Sequence, residues 1–415
     1  MSSLKQQGIK AFIWDFSGKL ASQGVSFVIS IFLARLLEPA EFGLIAMIMV
    51  VIGMASVFTD VGLGSALIQR KRVLPVHYSS VFYFNVFVSL LLTLITYCSA
   101  GWIAQFYQND ALFPLAQVMS LSFVISGFSS IQSTKLRKEL NYALLTKTGF
   151  IAGLIGGIIG VMLAFQGFGA WSLVAQSLIS GVVYNILLWS WSHWKPSWLF
   201  SVKALKQLWG FGFRLFLARL LDAVFSQLDY MIIGKLFMPA TLGYFQRAKS
   251  LNLLVVKYSS GSLMSVLFPV LVQVKNDLQC FRKIAIKMIG IISFIVFLLL
   301  GGLYLLSEEL IIFIFSEKWL PSVHFFQILV FSGFSYPINS LLLSLLTSRG
   351  NSKEFLRSEI YRKSLVSINL LVLYLFGINS YLYGLVVISI LGVLLNIFFA
   401  SREIKSSFFS FLEPI

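Results

Sequence analysis

The chain has 415 residues, of which 58% are hydrophobic and 12% charged, with a formal net charge of +16 and a mean hydropathy of +0.87. A soluble domain is closer to about 25% charged, and this chain lacks the polar residues to cover a water-exposed surface. The composition therefore excludes a soluble enzyme, a disordered chain and a secreted module, and it indicates an integral membrane protein.

Apolar segments of membrane-spanning length recur along the whole chain. A bilayer core needs about 20 apolar residues per helix. The basic first ten residues lead into the first of these segments without a small-residue cleavage site, which predicts an uncleaved span. The sequence predicts twelve transmembrane helices, at 12–34, 43–67, 80–104, 112–133, 146–166, 169–191, 208–236, 243–271, 286–306, 323–346, 362–378 and 380–400.

The cations of the connecting loops predict the orientation. One alternating set of loops holds 23 lysines and arginines, whereas the opposite set holds three, Arg35, Lys235 and Lys318. The positive-inside rule then places both termini in the cytoplasm. A missed span would scramble this alternation downstream, so the charge pattern supports the count of twelve.

An internal repeat links the two halves of the chain. LARLLEPAEFGL at 33–44 and IGKLFMPATLGY at 233–244 share four identities and a cation at an offset of 200. Each copy lies at the outer turn of the first helix pair in a set of six. The repeat predicts an all-α protein of two six-helix bundles, 1–200 and 201–415, in parallel orientation around a central cavity.

Ionisable residues inside the predicted spans are candidates for function. Placing one such residue at the centre of a membrane helix costs roughly 2.5–3.5 kcal/mol of insertion free energy. The cations are Lys19, Arg214, Arg219, Arg247, Lys249 and Lys257, and the acids are Asp15, Asp60, Asp222 and Asp229. The six cations predict a cavity of positive potential that binds an anionic guest.

Local roles remain open for several of these charges. Arg219 and Asp222 are i,i+3 and could form a structural pair, while Arg214 could extend to lipid headgroups. Lys249 and Lys257 share a helix face and favour an anionic ligand, with pairing to aspartates on other helices as the alternative. Asp60 could partner a cation, couple transport to a proton or accept a structural hydrogen bond.

Polar stripes follow two of the predicted spans. In span one, Ser22, Ser26 and Ser30 continue the line of Asp15 and Lys19 within an arc of about 80°. This stripe predicts a water-lined cavity, because helix packing does not need the two charges. Asn85 and Ser89 begin a weaker stripe in span three, for which hydrogen bonding between helices is an equal alternative.

Catalytic and metal-binding patterns are missing from the sequence. It contains no HExxH, CxxC, GxSxG or P-loop motif. Cys98 and Cys280 lie in an apolar run and a basic loop, which does not indicate a disulfide framework. We therefore expect no cofactor, no metal, no nucleic-acid partner and no enzymatic activity.

The repeat regions carry a resemblance to a known family. The relevant segments are Phe32–Leu37 with Pro39 and Phe42–Gly43, Asp60–Leu63 with Ala66–Gln69, and in the second half Asp229, Ile233–Lys235, Pro239, Leu242–Tyr244, Ala248 and Leu267–Pro269. They resemble the polysaccharide transporter family, the Wzx-type lipid-linked oligosaccharide flippases of the multidrug/oligosaccharidyl-lipid/polysaccharide exporter superfamily. The likeness is strongest over 12–72 and 205–275.

The resemblance implies a function, substrate and location. Such a protein moves a polyprenyl-pyrophosphate-linked oligosaccharide, a unit of O-antigen, capsule or exopolysaccharide, from the cytoplasmic to the outer face of the bacterial inner membrane by alternating access. Membrane lipid, a coupling proton or sodium ion and polysaccharide polymerase machinery are the implied partners. There are three alternatives: an ion-coupled small-molecule exporter, a membrane polymerase or glycosyltransferase, and a non-transporting scaffold. An exporter of cationic molecules needs more acidic residues in its cavity than this chain has.

Overall fold

The computed structural model describes residues 2–192, 194–254, 271, 274, 277–349, 352–404 and 406–414, with side chains omitted for 2–13, 15, 16, 19, 352 and 353. Within these ranges the regular structure is helical, which confirms the all-α class. Contacts group the chain into two compact units, Met1–Gly243 and Tyr244–Ile415. The division into bundles at residue 200 stays a prediction.

The first unit contains ten helices within the described ranges. They are α1 (Ser2–Leu36), α2 (Pro39–Ser56), α3 (Leu63–Gln69), α4 (Pro75–Cys98), α5 (Ala100–Tyr107), α6 (Leu112–Met119), α7 (Leu121–Lys138), α8 (Tyr142–Phe165), α9 (Ala170–Trp191) and α10 (Val202–Leu236). Local sequence sets the N-terminus of α2. Pro39 is its first residue, and the Glu41 carboxylate accepts the Glu38 N–H at 2.7 Å.

The core of the first unit joins α3, α4, α7 and α10. Leu63, Leu67, Phe82, Ile131 and Leu208 are all buried there and form one contact cluster. α10 thus packs with the N-terminal helices, although the repeat makes it the first helix of the second half.

Several predicted spans are interrupted rather than continuous. Predicted span 43–67 breaks after α2 into a 3-10 turn, Val57–Thr59, and resumes at α3 beyond Gly62, whose φ is 75°. Predicted span 80–104 passes from α4 into α5 at Ser99, and 112–133 passes from α6 into α7 at Ser120. The apolar pattern did not reveal these breaks, because the hydropathy stays high across them.

The second unit contains the remaining helices. They are α11, helical over 239–254 and begun in the first unit, then α12 (Leu278–Leu305), α13 (Ser307–Phe315), α14 (Pro321–Gly333), α15 (Ser335–Ser348), α16 (Ser352–Glu403) and α17 (Phe409–Leu412). Its core includes Phe281, Phe315, Trp319, Leu341 and Phe411, all fully buried.

Glycines with positive φ form tight turns at two places in the chain. Gly167 and Gly169 have φ of 81° and 56° between α8 and α9, and Gly377 has φ of 83° inside α16. The two segments of α16 fold back on each other, since Asn369 Nδ2 donates to the Tyr381 carbonyl at 3.0 Å. This matches the predicted pair 362–378 and 380–400.

Length and composition identify the helices that could cross a membrane. Eight of the described helical segments qualify: Pro39–Thr59, Pro75–Cys98, Leu112–Lys138, Tyr142–Phe165, Ala170–Trp191, Leu278–Leu305, Pro321–Ser348 and Glu354–Glu403. Part of α1, Leu20–Leu36, forms a shorter apolar helix. The last of the eight includes both segments of α16, and the count of twelve spans stays a prediction.

Candidate functional site

The candidate site lies in the first unit, where α10 faces the break between α2 and α3. Gly62 and Gly212 bring the two backbones together, because a Cβ on Gly62 would clash with the Gly212 carbonyl oxygen. Gly62 also needs its positive φ, which a glycine adopts at little cost. Two glycines therefore allow the close approach that places the charges of α10 beside the break.

Arg219 of α10 pairs with Asp60 in this region. Its Nη1 lies 3.7 Å from Asp60 Oδ2, and its Nη2 donates to Ser65 Oγ at 2.9 Å. The Arg219 side chain is 48% exposed, so the contacts with Asp60 and Ser65 leave about half of it uncovered. The sequence offered Asp222 as a partner by spacing alone, whereas the structure brings in Asp60 from a different element.

Asp60 also organises the start of α3. Its Oδ1 accepts the Gly64 N–H at 2.8 Å. At the other end of α3, the Lys138 ammonium donates to the carbonyls of Leu67 and Arg70, each at 2.5 Å. The short helix is thus held by a carboxylate at its N-terminus and a cation at its C-terminus, in agreement with the helix dipole.

A second polar contact joins α10 to the helices before it. Gln207 Oε1 accepts from Arg70 Nη2 at 2.7 Å and lies 3.1 Å from His77 Nε2. Since His77 Nδ1 accepts the Leu74 N–H at 3.2 Å, Nε2 is the ring nitrogen that donates to Gln207 Oε1. The sequence does not indicate this network, because Gln207 lies 130 and 137 positions from His77 and Arg70.

The opposite end of α10 is also in close contact with the first unit. The Lys235 ammonium donates to the Phe106 carbonyl. A Cβ on Gly234 would lie 3.0 Å from Tyr107 Cε1, and burial raises the pKa of Tyr107 to about 12, which keeps its hydroxyl neutral.

The other predicted charges of α10 have different surroundings. Arg214 is exposed and its Nε donates to the Gly210 carbonyl at 3.0 Å. Asp222 is exposed as well. Asp229 is 7% exposed, and its Oδ1 accepts the Tyr230 N–H at 2.9 Å.

Two predicted cations of α11 belong to the second unit. Arg247 is 9% exposed, with its guanidinium 4.9 Å from the Phe315 ring centre and 5.2 Å from that of Trp319. Lys249 is half-buried, with Nζ 5.4 Å from the ring centre of Phe245. Aromatic faces therefore stabilise both charges.

The two polar stripes differ in exposure. Ser26 is exposed, and Ser22 and Ser30 are partly exposed. Asn85 and Ser89 are fully buried between α4 and α7, where Asn85 Nδ2 donates to Ser130 Oγ at 2.9 Å. The side chains of Asp15 and Lys19, and all of Lys257, lie outside the described residues.

The linker after α9 is tied to the first unit by hydrogen bonds. Gln132 Nε2 donates to the Trp194 carbonyl at 3.1 Å, and Gln132 Oε1 accepts from Ser192 Oγ at 2.5 Å. Ser79 Oγ accepts the Ser197 N–H at 3.0 Å. These contacts hold the residues that lead into α10.

Most of the chain matches a model of a known protein family. Residues 32–324 match the family model described as polysaccharide biosynthesis protein. The chain belongs to this family. Membership confirms the resemblance inferred from the repeat regions.

Relatives of this family member come from several bacteria. An uncharacterized membrane protein in the cps region of Klebsiella pneumoniae is 28% identical over 355 residues, 82% of this chain and 72% of its own length. The succinoglycan biosynthesis transport protein ExoT of Rhizobium meliloti is 25% identical, covering 74% of this chain and 62% of its own length.

A solved structure shows the same fold. The lipid II flippase MurJ, in an inward closed conformation, superposes with a TM-score of 0.76 at 16% identity. The match covers 97% of this chain and 90% of that protein. At this identity the likeness establishes the fold alone.

Proposed function

We propose that this protein flips a polyprenyl-pyrophosphate-linked oligosaccharide from the cytoplasmic to the outer face of the bacterial inner membrane. Membership in the polysaccharide biosynthesis family, matched over residues 32–324, carries the proposal. The fold shared with a lipid II flippase supports it, as does the transport role in the name of the Rhizobium relative.

The charges of the first unit suit an anionic headgroup. A pyrophosphate cannot enter hydrocarbon unaided, because burying an unpaired charge is very costly. Arg219 combines a fixed position beside Asp60 with an accessible guanidinium, and arginine binds phosphates with two parallel hydrogen bonds. The sequence predicts that Arg214, Lys19, Arg247, Lys249 and Lys257 add further positive charge within the membrane.

The proposed function also includes an orientation in the membrane, a driving ion and an unchanged substrate. Both termini lie in the cytoplasm, a proton or sodium ion drives the cycle, and polysaccharide polymerase machinery takes up the product. The protein transports its lipid-linked substrate unchanged and is not an enzyme. Six intramembrane cations against four acids disfavour an exporter of cationic drugs.

The experiment that tests this function is deletion of the protein in its own cell. We expect a lipid-linked glycan to accumulate on the inner leaflet and the surface polysaccharide to be lost. Expression of the wild-type chain should restore both. Normal surface polysaccharide with no accumulated lipid-linked intermediate would contradict the proposal.

A further inference from the structure

The linker between α9 and α10, residues 194–201, presents apolar side chains away from the protein. Trp198 is 94% exposed, and Leu199 and Phe200 are each more than half exposed. Val202, the first residue of α10, is also more than half exposed. An exposed apolar patch of this kind marks a surface that contacts a partner or a membrane.

Hydrogen bonds on both sides of the patch fix this arrangement. The Ser197 N–H donates to Ser79 Oγ at 3.0 Å, and the Ser197 carbonyl accepts from the Tyr83 hydroxyl at 3.2 Å. The Ser201 N–H donates to Ser80 Oγ at 2.9 Å. Because the backbone is held against α4 just before and just after the patch, the three side chains between these points project outward.

The patch continues a face of α4 that is exposed along the helix. Trp198 stacks on Tyr83, with ring centres 6.5 Å apart and planes inclined by 26°. Phe87, Leu90 and Leu94 are more than half exposed and follow Tyr83 at helical spacing on the same face. Since α4 is long and apolar enough to cross a membrane, this face meets lipid. Trp198 therefore extends a lipid-facing surface.

The linker lies at the level of a membrane–water interface. Ser79 and Tyr83 lie about 6 and 12 Å along α4 from its first residue, Pro75. α4 has 24 residues, of which a hydrocarbon core of about 30 Å takes about 20. The linker thus borders the outer part of this span, where hydrocarbon meets headgroups. Tryptophan and tyrosine are enriched at this depth in membrane proteins.

Three lysines border the apolar patch. Lys195 precedes it, Lys203 and Lys206 follow it on the first turns of α10, and all three are exposed. The sequence has no acidic residue between Glu139 and Asp222, so no acid on the linker or on the first turns of α10 neutralises these lysines. Exposed lysines beside apolar side chains attract anionic lipids.

We propose that the linker and its three lysines form a binding surface for anionic phospholipid. The aromatic side chains insert among the headgroups of one leaflet, and the lysine ammonium groups bind the lipid phosphates. Lipid fits this surface better than a partner from solution, because Trp198 lies against the lipid-facing side of α4. The surface lies apart from Asp60 and Arg219, and its binding does not depend on what the protein transports.

The first test measures lipid binding by the purified full-length chain in detergent micelles. Phosphatidylglycerol replaces phosphatidylcholine at constant total lipid, and the thermal unfolding midpoint is recorded. A ligand of the folded state raises the midpoint in a saturable way. We expect this rise in the wild type. The variant that combines Lys195→Gln, Lys203→Gln and Lys206→Gln should lose at least half of it.

Two matched controls accompany this titration. Trp198→Ser should also weaken the rise, whereas Trp102→Ser, at a tryptophan 75% exposed on α5, should retain it. The charge-matched control removes three exposed cations of α12, as Arg282→Gln, Lys283→Gln and Lys287→Gln. It should retain most of the rise, because these cations do not border the patch.

The second test locates the patch in the membrane. Leu199→Cys, in a cysteine-free background, carries an environment-sensitive fluorophore and is read in phospholipid vesicles. We expect emission at a shorter wavelength than in water. Phospholipids spin-labelled near the headgroup should quench this emission more strongly than phospholipids labelled at the end of the acyl chain.

Three results would overturn the proposal. One is an equal midpoint rise in the wild type and in the variant without the three linker lysines. Another is an equal loss of the rise in the α12 control, since the effect would then be one of net charge. The third is a fluorophore that stays in water and is shielded by a soluble oligosaccharide, which would identify a carbohydrate surface. Lipid binding in a protein that flips no lipid-linked glycan would support this surface and contradict only the proposed function.

Discussion

Arg219 shows how a single residue depends on distant parts of the chain. The cost of an arginine within a predicted span makes it a candidate for function from sequence alone. Its contacts with Asp60 and Ser65 join residues more than 150 positions apart, and helical spacing gives no information on such pairs. The sequence could therefore propose Arg219 as a candidate, but it could not predict these partners.

Arg247 is a buried cation that lies against two aromatic rings. A desolvated cation–π contact contributes about 2 kcal/mol. We expect Arg247→Met to lower the free energy of unfolding in detergent by about this amount, because Phe315 and Trp319 lose their charged partner. Denaturant titration of the purified protein measures the change.

The matched control for Arg247 is Arg282→Met, at an exposed cation of the same unit. It should alter the unfolding free energy by much less. Equal stability of the two variants would show that the aromatic contacts of Arg247 do not stabilise the second unit.

At the scale of elements, glycines decide where helices approach. A Cβ on Gly43 would clash with the Pro239 carbonyl oxygen, and one on Gly243 would clash with the Pro39 carbonyl oxygen. This reciprocal contact joins the two turns in which the sequence showed its repeat. α1 and α10 likewise begin and end 200 residues apart, which supports the proposed internal symmetry.

Substitution at this crossing should be destabilising. Gly43→Ala forces a backbone carbonyl to move, and overpacking of this kind costs about 1–3 kcal/mol. Unfolding by detergent titration should show the loss, whereas Gly101→Ala, where a Cβ meets no atom within 4 Å, should show little. Equal values for the two variants would contradict close packing of the turns.

The long apolar elements could be predicted because hydropathy reports them directly. The turns at Gly167 and Gly377 were also predictable, since a positive φ favours glycine. The break after Ser56 was not, although Asp60–Val61–Gly62 carried a signal in its glycine. An apolar window averages over such a short interruption, so the contacts of Asp60 with Gly64 and Arg219 become visible only once α3 and α10 are placed together.

For the whole molecule, loop charge predicts the orientation. Single cysteines introduced for Asp110 and Lys71, both exposed, report opposite sides of the membrane in a cysteine-free background. We expect a membrane-impermeant maleimide to label Asp110→Cys in intact cells and Lys71→Cys only after permeabilisation. Labelling from the same side would refute the alternating topology.

The central claim is that an intramembrane arginine assists an anionic headgroup across the membrane. The most direct measurement is the rate at which purified protein in vesicles moves a polyprenyl-pyrophosphate-linked oligosaccharide between leaflets. We predict that Arg219→Gln slows this rate at least tenfold, while Arg72→Gln, at an exposed loop position, leaves it near the wild-type value. Equal rates for the wild type and Arg219→Gln would contradict the account.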